Sequence, residues 1–117
     1  MTDELRLAVE RRGPDGAILH TKGYINNMGG EEIATRAYEL LDAGCKTLLL
    51  DLRETKIVNS IGISILIEII EKAMERNGRV AFCCLTPVIY KTFHIMGLAN
   101  YAAIFTDEET AVKELAL

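Results

Sequence analysis

Hydrophobic and polar residues alternate along the start of the chain. Leu5, Leu7 and Val9 are separated by polar or small residues, which is the two-residue period of a half-buried strand. The Gly-Pro-Asp-Gly sequence at residues 13–16 is rich in turn formers and precedes a second apolar segment at residues 17–24. The chain is therefore predicted to open with a β-hairpin.

After residue 30 the pattern changes to helical segments that alternate with short apolar runs. Asn26 to Gly30 is expected to break regular structure, and helices are predicted from residue 31, over 61–77, after Thr86-Pro87 and after a capping box at Thr106. The runs 47–52 and 80–85 predict buried strands, and 103–105 predicts a last short strand. The order ββαβαβαβα predicts an α/β fold with a mixed, mostly parallel sheet, whose first strand is antiparallel at or near an edge.

Length and charge exclude several kinds of protein. The 117 residues fit a single domain, 1–117, and half of them are apolar. Thirteen basic and 17 acidic residues give a net charge of −4, which offers no attraction to nucleic acid or anionic lipid. The most apolar stretch, 57–70, is shorter than the roughly 20 residues of a membrane helix, and residues 1–4 do not resemble a signal peptide. We expect a cytoplasmic protein that binds no nucleic acid and does not insert into a membrane.

The three cysteines, Cys45, Cys83 and Cys84, form no CxxC motif. Adjacent residues of a strand point to opposite faces, so Cys83 and Cys84 are expected to face apart. The sequence therefore predicts buried, reduced thiols, with no metal site and no cofactor.

The most informative segment is 58–70, which follows a predicted central strand at its carboxyl end. Open α/β sheets commonly place functional sites there. Ser60 is expected at or next to the N-cap of the following helix. Helical spacing places Ile61 and Ile65 on the outer side and Ile69 on the flank, while the core side is expected to contain Ile63, Leu66, Ile67, Ile70 and Met74.

The outward isoleucines favour a protein contact at the edge of which Ser60 stands. Another helix or a homodimer partner would also explain them. A phosphoryl group on Ser60 would bring about −1.5 to −2 charges, which a helix N-terminus stabilises. The same charge would oppose an apolar or acidic partner at Ile61 and Ile65, so the pattern favours a switch in affinity rather than in fold.

From about residue 5 to 115 the chain resembles the STAS domain family, and most closely its free-standing bacterial anti-sigma factor antagonists. In that family a strand ending near Asp-Leu leads to Asp-Ser-Ser-Gly-Leu-Gly at a helix start. This chain has Asp51-Leu52, followed by Asn59-Ser60-Ile61-Gly62-Ile63-Ser64. Further resemblances to the family's motifs occur at Gly23-Tyr24-Ile25-Asn26, Gly78-Arg79-Val80, Thr86-Pro87, Met96-Gly97-Leu98 and Ile104-Phe105-Thr106.

The resemblance implies a partner-switching role. The unmodified antagonist binds an anti-sigma factor that is also a serine kinase, and so frees a sigma factor. Phosphorylation of the serine that matches Ser60 breaks this complex, and a serine phosphatase restores it. Asn59 and Asn26 depart from the family pattern, which has Asp at both positions, and Ile61 replaces a second serine.

We therefore expect a non-enzymatic STAS domain, an anti-sigma factor antagonist regulated by phosphorylation of Ser60. Gly62 is included among the partner contacts because its missing side chain permits close approach. The expected contacts are Asn26, Asn59, Ser60, Ile61, Gly62, Ile65 and Ile69. The alternative is a STAS scaffold that is not phosphorylated, or a cytoplasmic subunit of a lipid ABC transporter.

Enzymatic and phosphotransfer roles have little support in the sequence. A receiver domain needs an acidic pair after its first strand and a Lys after its last, so Asp51 is interpreted as a polar residue at a strand end. Ser60 lacks the preceding glycine of a G-x-S-x-G elbow, and neither His20 nor His94 has an obvious orienting acid. Gly29-Gly30 is too short for a phosphate loop.

Overall fold

The computed structural model describes residues 4–117. Its single sheet has five strands in the spatial order of the sequence: β1 (Arg6–Arg12), β2 (Gly16–Ile25), β3 (Thr47–Val58), β4 (Arg79–Cys83) and β5 (Ala103–Phe105). β1 is antiparallel to β2, and the other pairs are parallel. The helices are α1 (Asn27–Asp42), α2 (Ser60–Glu75), α3 (Pro87–Ile95) and α4 (Glu108–Leu115). The predicted order and the edge position of β1 are confirmed.

The sheet separates two apolar layers. Leu48 and Leu50 of β3 belong to the larger layer, under α1, α2 and α3, whereas Leu49 belongs to a smaller layer under α4. Successive residues of a strand point to opposite faces, so the continuous apolar run of β3 supplies both layers. Within residues 4–117, no helix has the length and apolar character needed to cross a membrane.

The first helix begins earlier than the sequence pattern suggested. The break expected at Asn26 to Gly30 is wrong, because α1 starts at Asn27 and both Gly29 and Gly30 are buried within it. A Cβ added to Gly29 would lie 2.6 Å from the carbonyl oxygen of Tyr24. Gly29 therefore allows the helix to pack closely on β2, and Gly30 allows it to pack closely on Ile65 of α2, rather than forming a loop.

Two further boundaries differ from expectation. β3 continues to Val58, so Asp51 lies in the middle of a strand rather than at its end. The polar part of β3 remains paired, and the buried hydroxyls of Thr21 and Thr55 lie 2.6 Å apart across β2 and β3. At α4 the N-cap is Asp107, whose side chain accepts from the Thr110 amide, and not Thr106.

The outer face predicted for α2 is mostly covered. Ile61 is exposed as expected, but Ile65 is only 9% exposed and Ile69 is fully buried. Ile65 packs beneath α1, where a Cβ added to Gly30 would lie 2.8 Å from its Cδ1 atom. The expectation that Ile65 and Ile69 face a partner is thus wrong, because Ile65 packs against α1 and Ile69 lies within the core. Met74, assigned to the core side, is exposed.

Candidate functional site

Two helix N-termini lie side by side at the carboxyl ends of β2 and β3. These parallel strands end in register, with Ile25 opposite Val58. The backbone amide of Asn59 donates to the Ile25 carbonyl at 3.1 Å, which ties the two strand ends together. Because α1 and α2 begin immediately after these strand ends, their first turns lie side by side at the carboxyl ends of β2 and β3.

Both helices start with an asparagine cap. The side-chain oxygen of Asn26 accepts from the Gly29 amide at 2.9 Å, and that of Asn59 accepts from the Gly62 amide at 2.8 Å. Asn caps a helix as well as Asp does, but brings no charge. Asn26 and Asn59, both predicted as partner contacts, therefore have a structural function in fixing the two helix starts.

Ser60 is the exposed first residue of α2, as expected for a residue next to the N-cap. Because Asn59 supplies the cap, the Ser60 side chain is not needed for it. The backbone carbonyl of Ser60 accepts from the Ser64 hydroxyl at 3.1 Å. The first turn of α2 carries no acidic residue, so its own side chains place no carboxylate at the positive end of the helix dipole.

Gly62 is buried, and its close contact is inside the chain. A Cβ at this position would overlap the carbonyl oxygen of Ile25. The missing side chain therefore permits close approach of α2 to β2, not of a partner, and the prediction that Gly62 contacts a partner is corrected accordingly.

Three exposed apolar residues lie two positions along the chain from a helix cap: Met28 is 75% exposed, Ile57 56% and Ile61 52%. We call Met28, Ile57 and Ile61 the apolar rim. Sequence reasoning missed Met28 and Ile57. The signal for Met28 was present, since it follows Asn26 by two residues and precedes a glycine, just as Ile61 follows Asn59.

A side-chain hydrogen bond on the protein surface links α1 to α2. The hydroxyl of Tyr38 donates to the Glu68 carboxylate at 3.2 Å. Partial burial, together with the negative charge of Glu68, raises the pKa of Tyr38 to about 12. Tyr38 therefore stays protonated at neutral pH and keeps this bond between the helices that carry Met28 and Ile61.

A second polar cluster lies on the opposite face of the sheet, beside α4. One group of potential metal-ligand atoms comes from Asp51, Cys83 and Cys84, and a neighbouring one from Glu10, His20 and Glu108. Within residues 4–117 all three cysteines are free thiols, and Cys45 and Cys83 are buried. The sequence pattern predicted no metal ligands here, because the contributing residues are far apart along the chain.

Comparison with known proteins agrees with this architecture. The family model for the STAS domain matches residues 7–111. BtrV of Bordetella bronchiseptica, named as a candidate anti-sigma factor antagonist, is 21% identical over 90 residues, which are 77% of this chain and 78% of BtrV.

Two solved structures are also similar. An anti-sigma factor antagonist from Mycobacterium paratuberculosis superposes with a TM-score of 0.86 at 17% identity, covering 100% of this chain and 98% of its own. The Bacillus cell fate determinant SpoIIAA in its phosphorylated form gives a TM-score of 0.76 at 15% identity, covering 94% and 99%. At these identities the two structures support the fold.

The match to the family model covers most of the chain, so the protein belongs to the STAS domain family. The mixed five-stranded sheet and four helices are the architecture expected from the resemblance seen in the sequence.

Proposed function

We propose that this STAS domain is an anti-sigma factor antagonist, and that phosphorylation of Ser60 controls its binding to an anti-sigma factor that is also a serine kinase. The observation that carries the proposal is the position of Ser60, the exposed first residue of α2, directly beside exposed Ile61. Similar proteins named as anti-sigma factor antagonists, and the similar structure of SpoIIAA in its phosphorylated form, support the same role.

The helix start is suited to accept a phosphoryl group without unfolding. The cap on α2 is the Asn59 side chain, so modification of the Ser60 hydroxyl removes no capping hydrogen bond. The added charge of about −2 lies at the positive end of the helix dipole, where it is stabilised. The modified domain is therefore expected to remain folded.

The same charge would weaken binding at the apolar rim. A partner that covers Met28, Ile57 and Ile61 gains free energy from burying side chains that are each more than half exposed. A phosphoryl group beside Ile61 would have to lose its hydration in that interface, which is costly unless a cation pairs with it. Binding would fall on phosphorylation, and a serine phosphatase would restore it.

In this proposal the site residues divide into two groups. Ser60 and Ile61 contact the partner directly. Asn26, Asn59 and Gly62 act from within, because they fix the two helix starts that present the rim. A pathway built from such a kinase and phosphatase would place the protein in the cytoplasm and give the chain a binding role rather than an enzymatic one.

The test is intact mass after co-expression with candidate anti-sigma factor kinases from the same genome, followed by pull-down with each kinase. The wild type is expected to gain one phosphoryl group and Ser60→Ala none. Binding is expected for the unphosphorylated wild type, expressed without a kinase, and for Ser60→Ala, and is expected to be lost in the phosphorylated wild type and in Ser60→Asp. Ser64, an exposed serine one turn further along α2, provides the matched controls.

Ser64→Ala should still be phosphorylated, and Ser64→Asp should bind more tightly than Ser60→Asp. No modification by any candidate kinase, together with equal binding by the wild type and Ser60→Asp, would overturn the proposal. The apolar rim would then belong to a constitutive contact, as in a STAS scaffold or a transporter subunit.

A further inference from the structure

The face of the sheet beside α4 carries ligand-bearing side chains that the Ser60 site does not use. The strand register aligns His20, Asp51 and Cys83 across β2, β3 and β4. Glu108, the first residue of α4, lies against the same row, with a carboxylate oxygen 3.7 Å from His20 Nδ1. Four elements thus converge on one polar cluster next to an apolar layer.

Cys84 adds a second sulfur through an unusual backbone conformation. It follows the last residue of β4 and has a φ of 64°, in the left-handed region that non-glycine residues rarely adopt. In a continued strand its side chain would point away from that of Cys83. Instead, both sulfurs and a carboxylate oxygen of Asp51 lie within 4.8 Å of one another. The prediction that the two cysteines face apart is wrong.

Two of the ligand-bearing side chains in the cluster are shielded from water. Asp51 is only 4% exposed and Cys83 is fully buried.

A path to the cluster is present. A cavity of about 180 Å³ reaches Asp51 and is lined by His20, Thr21, Asp51, Arg53, Glu54 and Glu108. The Arg53 guanidinium lies 3.8 Å from Cys84 Sγ and 3.9 Å from an Asp51 oxygen. Its side chain is 67% exposed, so it can turn toward solvent when another cation enters.

We propose that Asp51, Cys83 and Cys84 bind a thiophilic divalent cation, and that this cation is Zn²⁺. The fourth coordination position would face the cavity beside His20. Zn²⁺ accepts sulfur, nitrogen and oxygen ligands, whereas Mg²⁺ and Ca²⁺ prefer oxygen alone. In a tetrahedral zinc site the ligand atoms lie about 3.3–3.8 Å apart, so three ligand atoms within 4.8 Å of one another need only a small adjustment to coordinate one ion. Thiol protons would leave as the metal binds.

The test is a titration of the reduced full-length protein with Co²⁺, a spectroscopic substitute for Zn²⁺. The wild type is expected to bind one Co²⁺ per chain, with thiolate-to-cobalt charge-transfer absorption that Zn²⁺ abolishes by displacement. Cys84→Ser should weaken Co²⁺ binding by at least about tenfold and reduce that absorption, since removal of even an outer-shell partner costs about 10–100-fold. Asp51→Asn should weaken binding while retaining the absorption.

Cys45→Ala is the matched control, because it removes a buried thiol that lies in the larger apolar layer, across the sheet. It should leave the cobalt spectrum unchanged. Cys84 is half-buried, so replacement by serine should preserve the fold, which circular dichroism checks; Cys84→Ala is the second variant. No charge-transfer absorption in the reduced wild type would overturn the proposal. An unchanged spectrum in both Cys84 variants, or its loss in Cys45→Ala, would do so as well.

Discussion

The starts of α1 and α2 are built in the same way but carry different chemistry. Each follows the end of a parallel strand, is capped by an asparagine, and has a buried glycine that approaches a strand carbonyl. The equivalent first residues are Asn27 in α1 and Ser60 in α2. Only the second start therefore offers a hydroxyl that can be phosphorylated, at a position where the backbone geometry does not depend on it.

The pair also explains how a modification site and a binding surface can coexist. Met28 and Ile61 occupy the same position of the two first turns, and both remain exposed. The cap and the glycine hold each turn from inside, so the outward residues are available for binding. At the carboxyl ends of β2 and β3, the residues that fix the helix starts are thus different from the residues that are exposed for binding.

Replacing the helix-start glycines should give the largest effect. Gly62→Ala is expected to lower the free energy of unfolding by about 1–3 kcal/mol, because its Cβ would overlap the Ile25 carbonyl. Gly29→Ala should cost less, since its Cβ would lie 2.6 Å from the Tyr24 carbonyl oxygen, and Gly30→Ala least, because its Cβ meets the flexible end of Ile65. Urea unfolding of the three variants measures these changes in the free energy of unfolding. A Gly62→Ala protein as stable as the wild type would contradict the close packing of α2 on β2.

Removing the caps tests whether the two starts are equivalent. Asn26→Ala and Asn59→Ala should each lower the free energy of unfolding by about 1 kcal/mol, because each leaves a helix amide without its side-chain acceptor. Asn27→Ala, at an exposed residue beside the cap, is the control and should change stability by less than about 0.5 kcal/mol. A loss in only one of the two cap variants would show that the starts differ in stability as well as in chemistry.

The sequence pattern predicted the element order because periodicity reports which residues are apolar along each segment. It also located the Thr86-Pro87 helix start, which the structure confirms with a Thr86 side chain that accepts from the Ile89 amide. Ser60 was found because local signals place it at a helix start. Such features depend on neighbours in the sequence, which are visible without a structure.

Features that depend on contacts between residues far apart in the sequence were not predicted. Ile65 was assigned to the surface because its spacing places it opposite Ile63, yet α1 covers it through Gly30. Gly29 and Gly30 were predicted to lie in a loop because glycine has a low helix propensity. In the structure they lie in α1, where the absence of a side chain permits close packing. The positive φ of Cys84 likewise has no signal in an apolar strand pattern.

The cap of α4 is charged, unlike the asparagine caps of α1 and α2, and removing this charge gives the smallest predicted effect. The backbone amide of Thr110 donates to Asp107 and lowers the pKa of its carboxyl group. A carboxyl whose pKa is lower in the folded state stabilises the fold above its unfolded pKa, of about 3.9, and loses that contribution as the pH falls through the lowered value. Asp107→Asn keeps a cap but removes this dependence.

Urea unfolding of the wild type and Asp107→Asn should therefore show a difference that is largest near neutral pH and shrinks in acid. Asn59→Asp is the reciprocal variant, since it places a carboxylate at the corresponding position of α2. It should add stability at neutral pH and lose it in acid. A constant difference between wild type and Asp107→Asn across this range would mean that the charge of Asp107 adds nothing to its cap, and that the neutral asparagines before α1 and α2 are equivalent to it in stability.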